Sequence, residues 1–345
     1  MRGRGPLRIS LLLGFFCIMF LAGCETMIRG KELAAEYYNL ANAYFDIQKY
    51  EDAAYFYNKA ISIDETLLSA HFNLAYAYLK LGKGDKAIAI LETILAKDPN
   101  NVDMLKLLGY AYHLNGDDEK ALAVYDKILA LVPDHKDALN NEAVIYWKMK
   151  NYEKAENTFR KLLAANPDDF ATLYNLGQLF YETKQYEKSA AFFEQYLEAK
   201  PDDTKAYLKL AAVYMALQKY YKVIDAYEDA IVVDKNLAQA WFLEAVLLLT
   251  KVQDPEKGLT YLKQALALGF NDKNELGRLM AAPDLLEKEQ VTKLLREKGF
   301  EPSQLPAPKE TPAEAAQTPE TTAPAEPTVP PKPGADKSPA TQKKP

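Results

Sequence analysis

The sequence is poor in the residues that most chemistry needs. Its 345 residues include only two cysteines, three histidines and two tryptophans. Cys17 lies within an apolar run and Cys24 closes it, so the body has no pair for a disulfide and no thiol cluster for zinc. There is no Gly-rich phosphate loop, Gly-x-Ser-x-Gly elbow, His-Glu-x-x-His or Cys-x-x-Cys. An enzyme needs converging groups, and acids spread along helix faces do not converge, so no catalytic site, cofactor or metal is expected. Positive charge is in deficit, with 42 Lys and Arg against 48 Asp and Glu. An acidic chain without a basic stripe repels phosphates, which argues against nucleic acid. Apolar runs are also short, and none reaches the roughly 20 residues of a membrane-spanning helix.

The longest such run, Ile9 to Ala22, follows Arg2, Arg4 and Arg8 and ends in small residues. Charge, apolar run and small residues are the layout of a cleaved secretory signal. Leu21-Ala22-Gly23-Cys24 resembles the bacterial lipobox. The resemblance implies a signal peptide over 1–23, a diacylglyceryl group on the Cys24 thiol, an acylated amine there, and no other cofactor. Two acyl chains suffice for stable anchoring. Removal of 1–23 takes three arginines and no acid, which moves the formal charge from −6 to −9. Glu25, where an Asp would retain such a protein in the inner membrane, points to the outer membrane, facing the periplasm. Residues 24–33 make a short tether.

Beyond it the chain repeats itself every 34 residues. Pro99, Pro133, Pro167 and Pro201 keep that period, as do Ala53, Ala87, Ala121 and Ala155. So do Tyr44, Tyr78, Tyr112, Tyr146, Phe180 and Tyr214, and Ala41, Ala75, Gly109, Ala143, Gly177, Ala211 and Ala245. This pattern resembles the tetratricopeptide repeat, a helix–turn–helix unit of 34 residues. The fold class implied is all-α, a right-handed superhelical solenoid. Six repeats run without a gap over 34–67, 68–101, 102–135, 136–169, 170–203 and 204–237. A seventh, 238–271, slips by one residue so that Gly258 and Ala265 take the small-residue positions. Small residues at position 8 of helix A and position 20 of helix B allow close approach, and aromatics at positions 11 and 24 fill the wedge. Gly82 and Gly116 supply left-handed turns, and the proline at position 32 ends helix B. Helices over 274–281 and 283–299 are expected to cap the stack across 272–300, with Gly299 as a stop. The tail, 301–345, holds twelve of the nineteen prolines and almost no large apolar residue, so a disordered, partly polyproline segment is expected.

Function is expected in the groove. In the family that this chain resembles, helix A lines the concave surface through positions 2, 5, 6, 9, 12 and 13. Here that implies contacts from Phe45, Phe72, Tyr76, Tyr110, His113, Trp147, Tyr174, Asn175 and Tyr181, with Trp147 and Tyr181 foremost. Some members clamp a peptide carboxylate. Asn175, Lys205 and Lys209 match that pattern in part, whereas Asn140 and Val144 depart from it. The histidines fall at positions 4, 12 and 34 and cannot share a metal. The layout is similar to that of outer-membrane tetratricopeptide lipoproteins, some of them pilotin-like and some serving barrel assembly. The reading is a membrane-anchored interaction scaffold that takes a peptide or helix of another envelope protein. The alternative is a tether to the cell wall through the tail.

Overall fold

The computed structural model describes residues 29–306, all of whose regular structure is helical. The signal peptide, Cys24 and residues 307–345, on which expectations were stated above, lie outside the described residues. Helix α1 occupies 29–46. There follow α2 (Tyr50–Ile63), α3 (Leu68–Lys80), α4 (Gly84–Lys97), α5 (Val102–Leu114), α6 (Asp118–Leu131), α7 (Lys136–Lys148) and α8 (Tyr152–Ala165). Next come α9 (Phe170–Glu182), α10 (Tyr186–Ala199), α11 (Thr204–Ala216), α12 (Tyr220–Val233) and α13 (Ala238–Leu247). The last are α14 (Pro255–Ala267), α15 (Lys273–Ala281) and α16 (Lys288–Glu297). From α3 to α11 the A helices have 13 residues, and from α2 to α12 the B helices have 14. The described chain forms two compact units that meet in sequence at Ile145 and Tyr146. Helices adjacent in the chain pack on one another from α2 to α6 in the first unit and from α8 to α14 in the second.

The small residues have a visible cause. A Cβ on Gly109 would lie 2.8 Å from the Tyr125 ring, and one on Gly177 would lie 3.0 Å from the Phe193 ring. Position 8 of helix A therefore faces the ring at position 24 of helix B. Ser189 replaces alanine at position 20 and donates to the Gly177 carbonyl at 2.7 Å, so its buried hydroxyl is satisfied. Helix starts are capped by Asn101, Asn151, Asp203, Asp254 and Asp272, whose side chains accept from amides of the first turn.

Gly82 and Gly116 are left-handed as expected, and Gln48, Lys150, Lys184, Gln218 and Gln253 take the same conformation in the corresponding turns. Tertiary packing imposes it against a typical cost of about 1–2 kcal/mol per residue. Two expectations are corrected. The cap helix is shorter than expected, because Pro283 to Glu287 forms turns and Glu287 has φ 51° before α16 begins. The tail does not begin at 301 as an unstructured segment. Pro302–Gln304 makes a 3₁₀ turn, Phe300 and Leu305 pack on the core of Leu276, Leu279, Val291 and Leu295, and Pro306 lays its carbonyl over Gly277. The prolines there start a turn rather than forbid one, since Pro suits a first helical position.

The one-residue slip of the seventh repeat is taken up by a π-helical turn, Leu248–Val252, that prolongs α13. It lays Leu249 over Gly258, where a Cβ would meet Leu249 Cγ at 2.7 Å. The Leu249 carbonyl accepts from the Leu286 amide at 2.9 Å, which ties the cap to the turn.

Alanine is favoured over glycine by about 1 kcal/mol in an exposed helix, but the Tyr125 ring reverses that preference at position 109. Gly109→Leu is expected to lower stability by about 1–3 kcal/mol or more. A thermal melt checks this, and an unchanged melting temperature would contradict the assigned register.

Candidate binding groove

Four of the expected contacts are interior residues. Phe72, Tyr110, Trp147 and Asn175 are buried, Trp147 with only 4% exposure. Phe45, Tyr76, His113, Tyr174, Tyr181 and Lys209 are half-buried, and Lys205 is exposed. Trp147 is therefore not an exposed ring awaiting a partner. Its indole packs edge-on to Phe159 at 6.2 Å and donates to Glu182 at 2.5 Å, while Tyr152 donates to the other Glu182 oxygen at 2.7 Å. The buried amides Asn140 and Asn141 likewise serve the interior, and Asn141 donates to the Tyr125 hydroxyl at 3.1 Å.

Two of the half-buried rings, Phe45 and Tyr181, follow a rule. Position 12, at the end of helix A, meets position 17, at the start of helix B. Phe45 packs on Tyr50 at 5.1 Å and Tyr181 on Tyr186 at 5.6 Å. In the third repeat the same pair is His113 and Asp118, joined at 2.5 Å. Phe45 also stacks on Tyr76 at 5.4 Å. These paired rings present amphipathic edges, the surface that peptide recognition uses. His71 instead contacts the Glu65 carbonyl, and His135 accepts from the Ala138 amide, so each histidine has its own local role.

A second column went unread in the sequence. Lysine at position 19 lies over the aromatic at position 11 in five consecutive repeats: Lys86 on Tyr78, Lys120 on Tyr112, Lys154 on Tyr146, Lys188 on Phe180 and Lys222 on Tyr214, at 4.9–5.5 Å. Each exposed pair is worth about 0.5–1 kcal/mol. The signal was present as a fifth 34-residue register of lysines.

In the partial clamp, Lys205 and Lys209 stand one turn apart on α11, whereas Asn175 is only 2% exposed and its Nδ2 has no hydrogen-bond partner. The register explains the orphan. Position 24 is Tyr125 before Asn141 but Phe159 before Asn175, so the hydroxyl that Asn141 uses is missing. An unmade buried hydrogen bond costs about 1–3 kcal/mol.

The seventh repeat adds an open cleft. Met215, Leu243, Val246 and Leu279 line a space of about 100 Å³, the size of one side chain. Its rim carries the ion pairs Lys251–Asp284 at 2.6 Å and Arg278–Glu275 at 2.5 Å. Nearby on α13, Glu244 is fully buried at position 7, a leucine position in five other repeats. Its Oε1 lies 3.2 Å from Lys257 Nζ, which also binds Glu228 at 2.7 Å. Burial pushes the Glu244 carboxyl up to about 7 against the pull of Lys257. Burial pulls the Lys257 ammonium down, but Glu228 and Glu244 outweigh that and hold it above its usual range. Among the described residues, no group of three His, Cys, Asp or Glu is placed to hold a metal.

Paired helices of constant length, stacked in order with small residues at their crossings, define a helical-hairpin repeat array. Family models make it particular: the tetratricopeptide repeat model matches 72–136 and 140–204, and a TPR repeat model matches 41–82. The chain carries tetratricopeptide repeats, and the matched models describe no catalytic family. A tetratricopeptide repeat protein from Parabacteroides merdae ATCC 43184 is 21% identical, covering 77% of this chain and 99% of its own, with a TM-score of 0.51. The C-terminal part of a TPR repeat-containing protein from Cytophaga hutchinsonii is also 21% identical, covering 69% and 98%, with a TM-score of 0.60. These likenesses establish the all-α repeat fold. No curated protein matches the chain. The tetratricopeptide fold is a scaffold for binding protein partners in its repeat groove.

Two outcomes follow. Phe159→Tyr restores a hydroxyl for Asn175 and is expected to stabilise the protein by about 1 kcal/mol; denaturant unfolding measures it, and a loss of stability would refute the account of the orphan amide. Glu244 has a higher proton affinity folded than unfolded, so its favourable contribution is full below the usual carboxylate range and is lost as pH rises through about 7. Glu244→Gln is therefore expected to gain on the wild type between about pH 5 and about pH 8. Paired melts at the two pH values decide it, and a constant difference would contradict the raised pKa.

Proposed function

We propose that the chain is a lipid-anchored interaction scaffold of a bacterial cell envelope, held by acyl chains on Cys24 and binding a peptide or helix of another envelope protein. The observation that carries the anchor is Leu21-Ala22-Gly23-Cys24 at the end of a charged, then apolar, leader. Among the described residues no helix is long and apolar enough to cross a membrane, so those residues supply no spanning anchor of their own. Glu25 favours the outer membrane. Binding is assigned to the half-buried ring pairs and to the cleft of Met215, Leu243, Val246 and Leu279, which would take one apolar side chain of the partner. A scaffold in this place would assemble an envelope complex.

Two measurements on one set of strains test the reading. Radiolabelled palmitate should enter the wild-type protein and sediment with the outer membrane. Cys24→Ser should abolish both; retained label would disprove the anchor. Crosslinking in the intact envelope identifies the partner, which is then titrated against Tyr181→Ala with Tyr186→Ala. Affinity should fall at unchanged helicity, whereas full affinity would remove this face from the binding site.

A further inference from the structure

The last repeat is covered by α15, α16 and the 300–306 segment. Among the described residues the first repeat has no comparable cover. Leu33, Tyr37, Leu40 and Tyr44 follow one another at spacings of four, three and four, which places them on one stripe of α1. Phe56 of α2 stacks on Tyr37 at 6.1 Å and on Tyr44 at 5.3 Å, and Tyr55 meets Phe56 edge-on at 5.1 Å. The register shows that this face is open. Leu40 occupies position 7 and is 41% exposed, whereas Leu74, Leu108, Leu176 and Leu210 at the same position are at most 7% exposed. Leu33 is 44% exposed and Tyr55 57%.

We propose that this end face docks on a lipid bilayer, so that the first repeat lies against the membrane that holds the acyl chains of Cys24. The inference rests on the lipid-anchor reading above. Only residues 25–28 separate Cys24 from the first described turn, and four residues reach about 13 Å at most. The apolar face is thus the first folded surface that the bilayer meets. Its composition suits the interface, where tyrosine buries its ring and keeps its hydroxyl wet. Acyl chains fix distance but not orientation; an apolar face beside them fixes both. Charge does not drive the contact, because residues 29–67 hold seven carboxylates and four cations. The docking is therefore apolar, insensitive to salt and independent of anionic lipid.

The test uses the chain from Glu25 to Pro345, which lacks both leader and acyl chains but keeps all the packed core described. It is sedimented with vesicles of phosphatidylcholine and, separately, of phosphatidylethanolamine with phosphatidylglycerol, at low and high salt. The wild-type chain should partition alike in all conditions. The triple variant Leu33→Glu, Leu40→Glu, Tyr55→Glu should partition about tenfold less or weaker, with an unchanged circular dichroism melt. Should that variant misfold, Tyr55→Trp gives a second reading: the emission of the introduced indole should shift to the blue on vesicles and be quenched by brominated lipid. Absence of partitioning together with an unshifted emission from the Tyr55→Trp variant overturns the proposal. So does binding that needs anionic lipid and falls with salt. A concentration-dependent dimer, lost in the triple variant and unaffected by vesicles, would overturn it too and assign the face to a second copy instead. Because the chain tested carries no lipid, these results are separate from the labelling of Cys24, and either reading can fail alone.

Discussion

Helix A and helix B of each repeat approach so closely that one residue at their crossing can have no side chain beyond a methyl group. Where the facing ring lies over a glycine, as Tyr125 over Gly109 and Phe193 over Gly177, not even a methyl fits without a shift. Every other regularity follows from this crossing. It fixes helix lengths, which bring the next turn to the same place 34 residues on. It also fixes the left-handed residue that reverses the chain, firmly enough that glutamine and lysine adopt it. Even the Ser189 hydroxyl finds its acceptor in the backbone that the crossing brings near.

The crossing also decides what remains for binding. Rings that complete the wedge are consumed by it, as Trp147 is by Phe159 and Glu182. Rings at the A–B turn meet in pairs, edge-on or tilted, and stay half-buried. The seventh repeat departs from the rule by one residue. Its π turn frees a carbonyl for the cap, and α13, α15 and the turn between them frame a cleft. An acid at position 7, buried beside Lys257, gives the same repeat a carboxyl that burial pushes above its usual range.

Much of this was legible before any coordinates. The period and the small-residue register needed only counting, because packing against neighbours forces the same residue types at the same spacing. Two features were equally countable and were missed: the lysines at position 19 and the two glutamates, Glu142 and Glu244, among leucines at position 7. The groove contacts were less legible. Position alone says that a side chain leaves helix A on a given face; it does not say whether a neighbour closes over it, so Phe72, Tyr110 and Asn175 were read as surface. The packed start of the tail was missed for a related reason. Prolines within an otherwise polar segment suggested no structure, yet Leu305 and Phe300 supply enough apolar surface to hold that segment in place.

The sequence by itself determined that the chain is built of 34-residue helical hairpins, because that is a local pattern repeated along the chain. Only the tertiary structure decided which rings are spent on the core, where the orphaned Asn175 amide lies, how the slipped repeat is absorbed and that, among the described residues, Leu40 of the first repeat stays exposed. Those outcomes depend on whether a second surface arrives to bury the first. The closing surface comes from the neighbouring helix or the next repeat, outside the short window in which a residue's own pattern is read.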